Sequence, residues 1–236
     1  MIIYSTETVC DLGIIVDSCL EWKNHVAKIK LDAIKMSSWI LNVFRTRKKE
    51  TMLLLFNSFV RSRLEYCSEI WDPYTKSQIN EVEQIQKRFT RKIEGFKEID
   101  YWNRLKKLNI MSLQRRRERK TIIHTWKIKN EMIRNDVNLS FEINQRTSRV
   151  RAIIKPMPRV KGKVLSIHEN SFSIRAGKLW NRLPSILTTE LTLSSFVCKL
   201  DQWLKMYPDE PPVLGYFQSS RNSILDYPTR TLASST

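Results

Sequence analysis

The side chains whose type and spacing could do chemistry are basic ones. Lys87, Arg88, Arg91 and Lys92 fall three and four residues apart, the spacing that lines up one face of a helix. Arg115, Arg116, Arg117, Arg119 and Lys120 follow in one run interrupted by Glu118. A face carrying such charge suits a phosphate backbone, because lysine and arginine release the condensed counterions without reading a base sequence. The competing assignment is a solvated helix face, and for either cluster alone the two stand level. Two clusters together, in a chain of formal charge +17, favour nucleic acid. Trp102 and Trp126 could stack on bases, although aromatic residues at helical spacing more often pack in a core.

Other chemistry lacks its residues. Nucleotidyl transfer on two metal ions needs paired carboxylates, and the sequence has no Asp-Asp pair. Its adjacent acidic doublet, Asp209-Glu210, sits beside Pro211-Pro212. Asp11 and Asp17 would share a face of an extended strand, but a turn residue and a cap describe them better. His25, His124 and His168 are far apart, and the first two lie among helical apolar residues as structural side chains would. Cys10, Cys19, Cys67 and Cys198 form no C-x-x-C and read as reduced thiols of an intracellular protein. No P-loop, G-x-G-x-x-G or G-x-S-x-G occurs. The expectation is a chain without catalytic residues, metal, cofactor or small-molecule ligand.

The elements that position the basic clusters follow from composition and periodicity. Of 236 residues, 42% are hydrophobic and only five are glycine, which suits helices better than tight hairpins. No apolar run approaches the ~20 residues of a membrane span. Residues 9–16 (VCDLGIIV) read as a strand lacking a partner. Residues 21–44 and 50–71 read as amphipathic helices, the second stopped by Asp72-Pro73. A third helix over 77–93 places Glu81 and Glu83 early and Lys87, Arg88, Arg91 and Lys92 late, a polarity that suits the helix dipole. A short helix over Tyr101–Leu108 follows. Ser112 would then cap a helix running to about Arg134.

Residues 135–170 lose periodicity and read as a basic extended linker in which short strands can form. Two shorter helices over 171–183 and 194–207 come next, then a tail from Pro208 expected to be disordered. Charge is uneven. Residues 183–236 carry net −1, leaving +18 upstream, so the polyanion-facing part should lie before about Leu183.

Several blocks resemble one family. Residues 53–96, LLLFNSFVRSRLEYCSEIWDPYTKSQINEVEQIQKRFTRKIEGF, are similar to the region just after the polymerase palm in reverse transcriptases of the jockey-like non-LTR retrotransposons. Residues 101–130 resemble the next block of that family, through R-L-x-x-L, S-L-x-x-R-R and the closing W-K-I. Asp11-Leu12-Gly13 with Trp22 and His25 resembles the strand and helix by which the palm exits. Leu179-Trp180-Asn181-Arg182-Leu183-Pro184 and FVCKLDQWL (196–204) resemble the C-terminal block, with Val197 in place of the usual lysine.

The resemblance implies a parent RNA-directed DNA polymerase whose palm, with its Asp-Asp metal site, lies upstream of this chain. No catalytic residue carries over. The expected fold is mainly α: a palm-exit remnant (1–20), a helical thumb-like domain (21–134), the basic linker, a C-terminal helical unit (171–207) and the tail (208–236). The expected function is non-catalytic gripping of RNA, or of an RNA–DNA or DNA duplex, beside the upstream palm, in the cytoplasm and nucleus and without a membrane. An orphaned fragment of a degenerate retroelement, with no independent activity, is the alternative. A membrane-surface or partner-helix binder rests on charge alone.

Overall fold

The computed structural model describes residues 7–137, 139–143, 149–154, 167–210 and 222–226. The fold is mainly α. The chain divides into two units, Met1–Leu113 and Gln114–Thr236, each taken in turn below.

The first unit opens with a hairpin where a lone strand was expected. β1 (Thr8–Asp11) pairs antiparallel with β2 (Ile14–Asp17), Asp11 facing Ile14 and Thr8 facing Asp17. The reversal falls on Leu12 (φ 45°) and Gly13 (φ 86°). Positive φ at both central residues is the mark of the tight turn whose twist matches antiparallel strands. The strand therefore finds its partner within VCDLGIIV itself. Asp17 serves as the cap proposed for it, its carboxylate accepting the N–H groups of Cys19 (3.0 Å), Glu21 (3.1 Å) and Trp22 (3.0 Å).

Helix α1 (Lys23–Val43) then runs one way. The chain returns through α2 (Lys49–Leu55), a π-helical turn (Phe56–Arg61) and α3 (Ser62–Glu65). The expected single helix over 50–71 stops at Tyr66–Cys67. Cys67 is left-handed (φ 47°), and the Trp71 indole N–H bonds the Tyr66 carbonyl at 2.7 Å, satisfying a group the helix would otherwise have used. A turn of helix, α4 (Ser68–Trp71), follows.

α5 (Lys76–Thr90) runs parallel to α1, with Gln78 Nε2 on the Glu21 carbonyl (2.8 Å) and Lys30 on Glu81 (2.9 Å). Ala33, Ile40, Met52, Phe56, Val60, Leu64, Trp71, Val82 and Phe89 fill the core between these helices. Phe56 and Phe89 lie 4.8 Å apart. Thr75 caps α5, and Asp100 caps α6 (Tyr101–Leu108).

His25 ties the hairpin to this core. It is 2% exposed, its Nδ1 accepts the Ile15 N–H at 3.2 Å, and its ring meets Trp71 edge-on at 5.0 Å. Its Nε2 is buried with no hydrogen-bond partner. Burial, aided by the charge of Lys28, lowers its pKa from 6.5 to about 4. The unfolded chain therefore takes up this proton more readily than the folded one. Stability contributed by neutral His25 is complete above pH 6.5 and is lost as pH falls toward 4. Urea unfolding across that window should show a decline of roughly 3 kcal/mol in the wild type relative to His25→Asn. Parallel pH profiles for the two proteins would refute this role.

The second unit holds α7 (Leu113–Lys129) except for its first residue. The sequence had placed this helix with the thumb-like domain. Its partners explain the difference: Trp126 stacks on Phe196 at 5.5 Å and donates its indole N–H to the Glu190 carbonyl at 3.1 Å. α7 ends at Lys129, short of Arg134. The Met132 N–H folds back to the Lys127 carbonyl (2.9 Å), and Glu131 is left-handed (φ 55°), a closure typical of helix C-termini.

β3 (Ser140–Ile143) and β4 (Val150–Ile153) form a hairpin within the expected linker; residues 144–148 and 155–166 of that segment lie outside the described residues. α8 (Phe172–Trp180), α9 (Ser185–Thr188) and α10 (Leu193–Lys205) complete the unit. Asn181 pairs both its amide groups with Ala152 of β4, at 2.9 and 3.0 Å. A Cβ on Gly177 would come within 2.9 Å of Ile154 Cγ1, so a larger residue there would have to displace the Ile154 side chain. Part of the expected disordered tail is packed. Asn222 brackets Glu210 with two hydrogen bonds (2.9 and 3.1 Å), and a 3-10 turn (Ile224–Asp226) buries Ile224 against α8. The rest of that tail lies outside the described residues.

Candidate nucleic-acid interface

The two basic clusters meet different fates. Lys87, Arg88, Arg91 and Lys92 are all exposed at the C-terminal end of α5, where a helix favours cations. That end of the first unit gathers further charge from two other places. The turn after α1, residues 45–49 (RTRKK), is held there by the Glu94 N–H, which donates to the Arg47 carbonyl at 2.9 Å. The Arg47 guanidinium in turn caps α1, reaching the Leu41 carbonyl at 2.7 Å and the Thr46 carbonyl at 3.0 Å. Lys49 Nζ reaches the Lys107 carbonyl at the end of α6, 3.1 Å away.

Arg45, Lys48, Lys106 and Lys107 are exposed beside these contacts. Residues 45–49 fall between the expected helices over 21–44 and 50–71, and the sequence alone gives neither them nor Lys106 and Lys107 a role. No local signal joins them to α5; the parallel course of α1 and α5 does. Acidic residues on this end are few. Glu50, Glu94 and Glu98 are exposed, and Asp100 is occupied with the N–H groups of Trp102 (2.9 Å) and Asn103 (3.3 Å).

Between α5 and the start of α6 lies an open cleft of about 570 Å³, lined by Lys87, Arg88 and Arg91 on one side and Ile99, Tyr101 and Trp102 on the other. Arg104 closes its floor. This buried guanidinium donates to Thr90 Oγ1 (3.2 Å), the Ile99 carbonyl (2.5 Å) and the Lys87 carbonyl (2.9 Å). Burial, with a smaller contribution from the charge of Arg91, lowers its pKa against the opposing influence of Tyr101. Glu83, expected only to favour the helix dipole, accepts the Leu113 N–H at 3.0 Å.

The second cluster is not an exposed face. Arg115 and Arg117 are 2% and 1% exposed, and Arg116, Arg119 and Lys120 are half-buried. Arg115 pairs with Asp209 at 3.4 Å, both side chains almost wholly buried, and also bonds the Tyr207 carbonyl. Arg119 grips Asp201 with two hydrogen bonds, 2.5 and 2.8 Å. Glu118 accepts the Ile224 N–H at 2.7 Å. Arg115, Glu118 and Arg119 thus make contacts within the second unit, and Arg115 and Arg117 are buried rather than on the exposed face expected for them. The signal was available in the acidic excess of residues 183–236, which supplies Asp201 and Asp209. Trp126 likewise belongs to the core, in a stack with Phe196 and Trp180, whereas Trp102 is half-buried at the cleft.

Among the described residues, no group of three histidine, cysteine or acidic side chains is placed to hold a metal ion. The four cysteines are unbonded, and no described helix is long and apolar enough to cross a membrane.

No family model matches the chain. An uncharacterised protein of Caenorhabditis elegans is 28% identical over 110 residues, 45% of this chain and 56% of the relative. The match thus spans about half the length of that curated relative. No solved structure matches.

Proposed function

We propose that this chain is the nucleic-acid-gripping, non-catalytic C-terminal part of a non-LTR retrotransposon reverse transcriptase. It holds template–primer duplex or element RNA by the phosphate backbone, and an upstream palm supplies the polymerase chemistry. Its site of action is intracellular, in cytoplasm and nucleus.

One observation carries this reading. Lys87, Arg88, Arg91 and Lys92 are exposed on the same end of the first unit as Arg45, Lys48, Lys106 and Lys107. A surface assembled from three separate segments, with few carboxylates among them, repels itself unless a polyanion covers it. The ordered series of blocks along the sequence supplies the polymerase context.

The test is affinity for a hairpin RNA measured against salt concentration. Backbone contacts release counterions, so the log–log slope should be steeply negative, by about 0.9 per neutralised phosphate on a duplex. A flat slope, or no binding at low salt, sinks the proposal.

A further inference from the structure

The basic end of the first unit carries more than charge. A duplex backbone needs only a positive ridge, yet here the ridge borders a cleft with an indole on its far wall. We infer that the cleft between α5 and α6 takes an unpaired nucleotide, its base against Trp102 and its phosphate on Arg88 and Arg91. This rests on the nucleic-acid reading and narrows its ligand to single-stranded RNA or DNA at this point of the surface.

Three features carry it. First, size: about 570 Å³ lies within the range of roughly 300–1,000 Å³ usual for small-ligand sites, enough for a nucleotide and far too small for a helix of paired bases. Second, the cleft is preformed. Arg104 ties the last turn of α5 to the Ile99 carbonyl through three hydrogen-bonding groups. Asp100 fixes the backbone N–H of Trp102, and Tyr101 supports the indole edge-on at 5.0 Å. A preformed site loses little entropy on binding.

Third, the chemistry is paired. A half-buried indole offers a π face to any base, and arginines beside it meet the attached phosphate. Glu98 and Asp100 also line the cleft, against Lys87, Arg88, Arg91, Lys97 and Arg104. Asp100 accepts the Trp102 and Asn103 N–H groups, and Glu98 lies 3.9 Å from Lys97, so the lining keeps a basic excess. In a duplex, neighbouring pairs cover both faces of each base, so an indole gains nothing from a paired strand.

The experiment uses the full chain and fluorescence anisotropy at one salt concentration. The probes are a labelled oligo-U strand, an oligo-dT strand, a blunt RNA duplex of equal length, and free UMP as competitor. Trp102→Ala should weaken both single strands roughly ten- to a hundredfold while leaving the duplex unchanged. Trp102→Phe, which keeps a π face, should retain most of the affinity. UMP should compete only weakly, because one phosphate recruits little of the basic surface.

A 2-aminopurine within the oligo-dT strand should be quenched on binding to the wild type and not to Trp102→Ala. Unchanged single-strand affinity in Trp102→Ala overturns the cleft inference alone. Equal weakening of strand and duplex also overturns it, since that marks a general loss of fold. If the wild type binds neither strand nor duplex, the nucleic-acid reading falls with it.

Discussion

Replacing Lys87, Arg88, Arg91 and Lys92 together by glutamate should abolish most duplex binding while leaving the fold intact. All four side chains are exposed, so their replacement disturbs no core contact. Each phosphate contact contributes about one to the salt slope, so the slope should become shallower by about 4. At ~0.1 M salt the affinity should drop on the order of a hundredfold or more, alike for every duplex sequence. The loss should be uniform because backbone contacts read no bases. Unchanged affinity, or a loss confined to particular sequences, would count against the surface described here. Circular dichroism of the variant should match the wild type, which separates lost contacts from lost structure.

Arg115→Ala should do the reverse, unfolding the second unit without touching the candidate interface. Arg115 and Asp209 are about as buried as charged side chains become, at 2% and 3% side-chain exposure. Removing Arg115 takes away a buried guanidinium that pairs with Asp209 and bonds the Tyr207 carbonyl, and breaking a buried pair costs about 3–5 kcal/mol. That is a large fraction of the 5–15 kcal/mol by which a typical domain is stable. Arg119→Ala provides the comparison. Its pair with Asp201 is partly solvated, at 23% and 35% exposure, and its loss should cost no more than about 1 kcal/mol. Urea unfolding with amide hydrogen exchange should place the Arg115→Ala effect in Gln114–Thr236 and leave the first unit protected. Similar, mild losses from both variants would show that Arg115 is solvated.

Much of the first unit could be read from sequence because its signals are local. The bounds of α6, Tyr101–Leu108, coincide with those expected, fixed by Asp100 at one end and left-handed Asn109 at the other. α1 and α5 begin within two residues of the expected 21 and 77, since their apolar stripes keep a helical period throughout. The misses have non-local or unusual causes. Leucine rarely tolerates positive φ, so Leu12-Gly13 did not advertise a hairpin. The break at Cys67 depends on the Trp71 indole satisfying a carbonyl five residues earlier.

The arginine run was the instructive case. As a string, Arg115–Lys120 has the composition of a phosphate-binding face. Whether such charge faces water or buries depends on where its carboxylates lie, and Asp201 and Asp209 are more than eighty residues downstream. The same long reach joins residues 45–49 to the end of α5. Net charge gives only the basic excess of the chain, while the fold says which of the basic side chains are exposed.

The π-helical turn at Phe56–Arg61 bears on how this chain tolerates changes in length. A π turn holds about one residue more than an α turn. Deleting exposed Ser58 would let the helix close into ordinary α geometry with Leu64 still facing the core. The same deletion in α1 would turn every later side chain by about 100°, carrying Ala33 or Ile40 out of the interior. Single-residue deletions that survive between Lys49 and Glu65 should therefore collect at the π turn, a built-in slack link in an otherwise fixed register.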